Sequence, residues 1–432
     1  MPTLAINGGD KACNHEWPAW PIWGEAERAG LLDVLESGKW WYGERVKEFE
    51  AKFASFQDAK YGITTTSGST SLEVALRALG IGPGDEVIIP PYTFVATAAA
   101  VAWVGAKPIF ADIVPETLCI DADDVMRKIT PRTKAIMPVH LAGHVADMDR
   151  LREIARANRL AIIEDACHSW GSKWNGQGTG AIGECGAFSF QMSKNISSAE
   201  GGIILTNDKD LADTCRSLTN CGRTEGSPWY QHDMLGSNLR LTEFQAALLL
   251  AQFERLEEHL VVRRKNAIIL NRRLADIDGI KVFHDDPRVT RRAYHLFCFQ
   301  IDEQRLGMSR AQFLDALVAE GVPASGGYLM PLYKNPMFQP VSDGKKRSGH
   351  RPAPGGAMDY SQVCCPVTEH VCRTVCWLAH VLLLANERAI EAAGDAIAKV
   401  CLNAAELKRV QVSLHSSTPP MVVAAAAAAG RK

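Results

Sequence analysis

Gly186-Ala187-Phe188-Ser189-Phe190-Gln191-Met192-Ser193-Lys194, with Glu200-Gly201-Gly202-Ile203-Ile204 soon after, reads as a buried strand that carries a serine, delivers a lysine into a turn, and returns through a double glycine into a second strand. A lysine is ordinarily a solvated surface charge. One set just past an apolar strand, inside a pocket, behaves differently. Burial and a nearby cation lower its pKa and expose the free amine that attacks an aldehyde.

Working upstream, Ile162-Ile163-Glu164-Asp165-Ala166-Cys167-His168 ends another apolar run with carboxylates. A carboxylate at the mouth of a buried strand is costly unless it meets a cation. Strand side chains alternate, so Glu164 and Asp165 should face opposite sides. Asp165 is the candidate partner of a protonated pyridine nitrogen; a capping or salt-bridge role is the structural alternative. Further upstream, Thr64-Thr65-Thr66-Ser67-Gly68-Ser69-Thr70 passes from an apolar strand into a helix. Its small residues leave backbone N–H groups free at a helix N-terminus, a ready phosphate site or an ordinary N-cap. Pro90-Pro91-Tyr92-Thr93-Phe94 follows a third apolar run and offers an aromatic face to a flat ring, or to the core.

These strand ends belong to a regular alternation. Val87–Ile89, Pro108–Phe110, Ala135–Met137 and Ala161–Ile163 are apolar runs of buried-strand length, separated by helical stretches such as Ser71–Leu79 and Met148–Asn158. That alternation predicts an α/β domain with a mostly parallel central sheet flanked by helices, and ligands at the carboxyl ends of the strands. A long helix is expected over Thr242–Leu274. Beyond it, a strand over Tyr294–Ile301, a capping box at Ser309–Gln312 and a helix over Asn386–Leu402 indicate a smaller α+β domain. The expected division is 1–260 for the large domain with an N-terminal arm, 261–408 for the small one, and 409–432 for a tail outside the fold. A surface loop is expected over 342–356.

Composition narrows the function. The 432 residues carry a formal net charge of −2 and are 47% hydrophobic and 22% charged. No broad basic field points to nucleic acid, and no run reaches the roughly 18 apolar residues of a membrane span. No secretory signal is legible in Met1–Lys11. The 12 cysteines are scattered, and the group Cys364, Cys365, Cys372 and Cys376 lacks metal-ligand spacing. No metal is expected, and a cytoplasmic enzyme is the default.

The four motifs, in this order, resemble the fold-type I pyridoxal-phosphate (PLP) enzymes. More specifically, the chain is similar to the DegT/DnrJ/EryC1/StrS family of sugar and cyclitol aminotransferases, over roughly Trp17 to Val400. Gly236-Ser237-Asn238-Leu239-Arg240-Leu241, running into Glu243-Phe244-Gln245-Ala246-Ala247, carries the likeness further. The resemblance implies that Lys194 bonds covalently to the PLP aldehyde, Asp165 pairs with the pyridine nitrogen, and His168 lies near the ring's phenolic oxygen. It further implies that Phe94 stacks on the ring and that Gly68, Ser69 and Ser189 hold the phosphate. Asn238 would reach the phosphate of a neighbouring subunit, making a homodimer with shared active sites.

Trp17-Pro18-Ala19-Trp20-Pro21, Gly38-Lys39-Trp40-Trp41 and Tyr333-Lys334-Asn335-Pro336-Met337-Phe338 resemble the ketocyclitol aminotransferases, which imply a scyllo-inosose-type acceptor with L-glutamine or L-glutamate as donor. Two relatives stand as alternatives: nucleotide-linked ketosugar aminotransferases, which share every cofactor residue, and 3-amino-5-hydroxybenzoate synthase-like lyases, which the Trp-rich N-terminal stretch and Cys365-Pro366 followed by Trp377-Leu378 also resemble. Candidates for gripping the acceptor ring are His140, Trp40, Trp41, Arg223 and Tyr328. One departure from the family pattern is Ala199, where a glycine usually precedes the turn glutamate.

Overall fold

The structure is a computed structural model that describes residues 3–339 and 359–409; the expected loop at 342–356 and the tail beyond 409 lie outside the described residues. A seven-stranded sheet forms the largest layer, in the order Tyr61–Thr65, Gly202–Thr206, Cys185–Ser189, Ala161–Asp165, Thr133–Ile136, Glu86–Ile89, Lys107–Phe110. The last five strands pair in parallel, whereas Gly202–Thr206 runs antiparallel to both its neighbours. The expected α/β class is present.

The reason these segments read as unbroken apolar runs lies in the two cores they separate. Val87, Ile89, Ile163, Ala187 and Ile204 face a core shared with Leu72, Val74 and Leu76 of the helix Gly68–Ala78. Their neighbours Ile88, Ile136 and Ile162 face the opposite side, with Leu151 and Ile154 of the helix Met148–Asn158. Phe188, Ile203 and Leu205 share that opposite side with Phe49 and Phe53. A sheet covered on both faces has no polar position to alternate with.

A second sheet, Ile280–Val282, Leu296–Ile301 and Val375–Ala379, is antiparallel throughout. Its core includes Phe313 and Leu317 of the helix Arg310–Ala319 and Ile390 and Ile397 of the helix Glu387–Leu402, and also takes in Leu4 and Cys13 from the N-terminal arm. The Ser309 capping box forms as expected, with the hydroxyl accepting from the Gln312 N–H.

The single long helix expected over 242–274 is two helices, Glu243–Glu254 and Leu256–Ala275. The break falls at Arg255 (φ −97°, ψ −6°), whose guanidinium is drawn to Glu27 and to the Ile22 carbonyl. The apolar periodicity continues through the bend, so it gave no local sign of it. Among the described residues no helix is long and apolar enough to cross a membrane.

Candidate active site

The Cys185–Ser189 strand brings the lysine to its place. It pairs with Ala161–Asp165, setting Ala187 beside Asp165, and with Gly202–Thr206, setting Ser189 beside Gly202. After Ser189 the ladder narrows into a closed turn: Phe190 N–H donates to Gly201 O (2.8 Å), Met192 N–H to Ala199 O (2.9 Å) and Lys194 N–H to Gln191 O (2.9 Å). Ala199 closes that turn at φ +69°, a left-handed conformation that costs a residue with a Cβ about 1–2 kcal/mol. A glycine there would adopt this conformation without the strain.

Lys194 is partly buried, with its Nζ 5.8 Å from the centre of the Trp170 ring. Burial lowers its pKa below the ordinary lysine range, against the pull of Cys167 and Asp165, which favour the charged form. Depression of this kind enlarges the free-amine fraction near neutral pH.

The two carboxylates face apart, as the strand alternation demands. Glu164 is fully buried and spends every lone-pair direction on structure. It accepts from Gly180, Ile182 and Gly183 N–H, each at 2.7 Å, and lies 2.9 Å from His140 Nε2. His140 is thereby a structural histidine, its Nδ1 also accepting from Ala146 N–H. Asp165 is 5% exposed and accepts from Thr97 Oγ1 (2.8 Å) and the Cys167 N–H (3.3 Å). No ion pair to it forms among the described residues.

Ser67 caps the helix Gly68–Ala78, its hydroxyl accepting from Thr70 N–H. The N–H groups of Gly68 and Ser69 find no acceptor among the described residues, and Ser69 is exposed. A Cβ on Gly68 would stand 2.7 Å from Ser189 Cβ and 3.0 Å from Cys167 Sγ, and one on Gly202 would stand 2.4 Å from Ser67 O. Both glycines let the turn close onto the strand end, so Gly68, Ser69 and Ser189 are brought together.

Phe94 caps the next helix, Val95–Trp103, and is 57% exposed despite its apolar ring. His168 is buried; its Nδ1 accepts from Ala142 N–H, and burial followed by the Lys194 charge holds its pKa well below the usual histidine value. Tyr328 reaches the site from the second half of the chain, packing edge-on to Tyr92 (5.4 Å) and Trp377 (4.8 Å). Burial, then the Asp165 charge, raises its phenol well above the ordinary range.

Other expected residues are not gathered here. Asn238 is exposed and bridges to Asn220, with no contact to Lys194 or the Ser67 turn. Trp40 and Trp41 are about half exposed, Trp41 lying under the Arg240 guanidinium at 4.8 Å. Arg223 sits over the Trp229 ring at 5.7 Å. Sequence reading missed Thr97 and His295. The sequence offers Thr97 no signal beyond a hydroxyl four residues past Thr93 among apolar residues; the two hydroxyls are 2.9 Å apart. His295 opens an apolar strand and lies tilted against the His168 ring, 4.3 Å between ring centres.

The residues present fit PLP: a turn of unpaired N–H groups whose Gly68 admits no Cβ, a buried carboxylate that accepts only neutral donors, and an amine whose pKa burial lowers. Comparison with known proteins agrees. Residues 21–394 match the DegT/DnrJ/EryC1/StrS aminotransferase family. A putative L-glutamine:3-amino-2,3-dideoxy-scyllo-inosose aminotransferase of Streptoalloteichus tenebrarius is 38% identical, over 94% of this chain and 99% of its own length. The 3-amino-5-hydroxybenzoate synthase of Amycolatopsis mediterranei is 36% identical, over 89% and 97%. Among solved structures, a 3-amino-5-hydroxybenzoic acid synthase superposes with a TM-score of 0.80 at 34% identity, over 90% of this chain and 99% of that one. Another, NtdA from Bacillus subtilis with bound cofactor PMP, superposes at 0.74 with 27% identity, over 89% and 86%. This chain belongs to the DegT/DnrJ/EryC1/StrS aminotransferase family.

Proposed function

We propose that this chain is a PLP-dependent aminotransferase that takes the amino group of L-glutamine, or of L-glutamate, and delivers it to a ketone on a polyhydroxylated cyclitol ring. The observation that carries the reading is the convergence of Lys194, Asp165 and the Gly68 turn at the ends of neighbouring strands. The named cyclitol aminotransferases among the relatives support the choice of donor and acceptor.

When bound, PLP supplies a ring that accepts the negative charge developing on the donor's α-carbon. The chain's own residues do the rest. Lys194 would hold the cofactor, and its amine would serve as the general base that takes the donor's α-proton and the general acid that gives a proton back. Asp165 keeps a proton on the ring nitrogen, with Thr97 and the Cys167 N–H fixing the carboxylate's plane. Gly68, Ser69 and Ser189 would hold the phosphate, Phe94 would cover one ring face, and His168 would stand by the phenolic oxygen. Tyr328, Tyr92 and Trp377 form a wall that excludes water from one side.

The exposed stretch around Asn238 supports a homodimer with shared sites. Trp229, Tyr230 and Leu235 are each more than three-quarters exposed there, and a second copy would cover them. A cytoplasmic location and a division into 1–260 and 261–408 remain part of the proposal, with Leu4 and Cys13 of the arm belonging to the smaller domain's core. The second reading is a 3-amino-5-hydroxybenzoate synthase-like lyase, favoured by the likeness to that enzyme in sequence and structure. A panel of keto acceptors offered to the pyridoxamine form separates the two. Recovery of the yellow cofactor with scyllo-inosose-type ketones supports the proposal. Recovery only with a ketone precursor that then loses water and becomes aromatic would support the lyase.

A further inference from the structure

We propose that Arg263 and His380 form a buried clamp on the turn that carries Lys194, and act as positioning residues for the reaction. The inference rests on Lys194 being the cofactor-bearing amine.

The two residues immediately before Lys194 are each held through a carbonyl by a distant part of the chain. Trp20 Nε1–H of the N-terminal arm donates to Met192 O at 2.7 Å. His380, just past the strand Val375–Ala379, places Nε2 at 3.1 Å from Ser193 O. On its other side, His380 Nδ1 lies 3.0 Å from Arg263 Nη2, while Arg263 Nε–H donates to the His380 carbonyl at 3.3 Å. A guanidinium only donates and a carbonyl only accepts. Nδ1 must therefore be bare and Nε2 must carry the proton. Both contacts demand the same neutral tautomer, so Arg263 fixes the hydrogen bond that His380 makes to the lysine turn.

Arg263 is an expensive residue to keep for anything else. It is fully buried, forms no ion pair among the described residues, and leaves Nη1 without a hydrogen-bond partner. Replacing a buried charge by an apolar side chain is often neutral or stabilising. Stability is thus a poor reason for a guanidinium here, and orientation of His380 a good one. The remaining contacts tighten the clamp: the Trp20 ring stands edge-on to His380 at 4.6 Å and faces the Arg263 guanidinium at 5.8 Å. His380 also stacks on His295 (5.6 Å), whose ring lies tilted against that of His168 at the strand end beside Asp165. The ionisable groups facing His380 are Arg263 and His259 from the helix Leu256–Ala275, His295, and Lys194; burial first, then the Arg263 charge, holds the imidazole's pKa well below the ordinary histidine value.

The test compares wild type, His380→Phe, His380→Gln, Arg263→Met and Trp20→Phe as holoenzymes, with thermal melting of each to count the folded fraction. The readouts are kcat and KM for L-glutamine, and the pH titration of the cofactor's visible band. His380→Phe keeps the stack but loses the donor, and should lower kcat about 10–100-fold with little change in KM, because sub-ångström misplacement of a reacting group costs that much. It should also shift the band's titration midpoint. His380→Gln, whose amide N–H can reach Ser193 O, should restore most of both. Arg263→Met touches nothing on the turn, yet its folded molecules should follow His380→Phe in both readouts. If a clamp variant fails to fold, Trp20→Phe decides: it removes the Met192 bond while leaving an aromatic ring beside His380 and Arg263, and should move kcat and the midpoint in the same direction, by less. Unchanged kcat and an unchanged titration curve in folded His380→Phe and Arg263→Met, or in Trp20→Phe when those fail, overturn the clamp. A visible band that survives in Lys194→Ala overturns the reading beneath it instead.

Discussion

Glu164 and Asp165 are consecutive, both buried and both carboxylates, yet the two sides of the strand end treat them differently. On the Glu164 side three N–H groups and an imidazole close around the carboxylate, and nothing is left to offer a ligand. On the Asp165 side two neutral donors hold the carboxylate while a partly buried amine, a bare N–H turn and a row of imidazoles look on. A buried charge that is fully satisfied by its own chain holds structure together. One left short of a cation is held ready for something that brings one.

The sharpest break of this comparison swaps the consequences of losing each charge. Asp165→Asn should cut kcat by about 10³-fold, the order expected when the group tuning a reacting centre is removed, with the apoprotein's melting almost unmoved. Steady-state kinetics beside calorimetry reads both. Glu164→Ala should do the reverse. Stranding three N–H groups and His140 should lower unfolding free energy by about 3–5 kcal/mol in urea titrations, with activity per folded molecule largely kept.

The pH response sharpens the same contrast. His168, His295 and His380 on the Asp165 side are all held well below the ordinary histidine pKa, chiefly by burial. The unfolded chain takes up protons near pH 6.5 while these folded imidazoles do not. Their contribution to stability is therefore whole above about pH 6.5 and is lost as pH falls below it, at up to about 1.4 kcal/mol per pH unit for each group. The apoprotein's melting temperature should fall from pH 7 to pH 5, and His295→Gln should flatten that fall. An equally steep fall in the variant would remove His295 from the account.

The smallest effect belongs to Ala199. At φ +69° a glycine avoids the Cβ strain, so Ala199→Gly should stabilise by about 1 kcal/mol or less, after the glycine's own entropy is counted. Denaturant midpoints with an unchanged slope would show it.

Much of this site was legible because its signals are local. The strand-turn-strand around Lys194, the opposite facing of Glu164 and Asp165, and the Ser67 cap all follow from periods and turns within a few residues. The clamp was not legible, because Arg263 and His380 lie 117 residues apart and His380 meets a carbonyl 187 residues away. No local pattern encodes such contacts. Thr97 and His295 were hidden for the same reason, since each acquires its partner only when separate strand ends converge. The bend at Arg255 was hidden differently: helical periodicity runs through it, and its cause is a carboxylate at Glu27.

The central claim is that the Lys194 amine is the one that bonds to the cofactor aldehyde. Borohydride reduction of the holoenzyme, followed by peptide mass spectrometry, tests it most directly. The account predicts the pyridoxyl label on Lys194 and on no other lysine; a label elsewhere, or none, would contradict it.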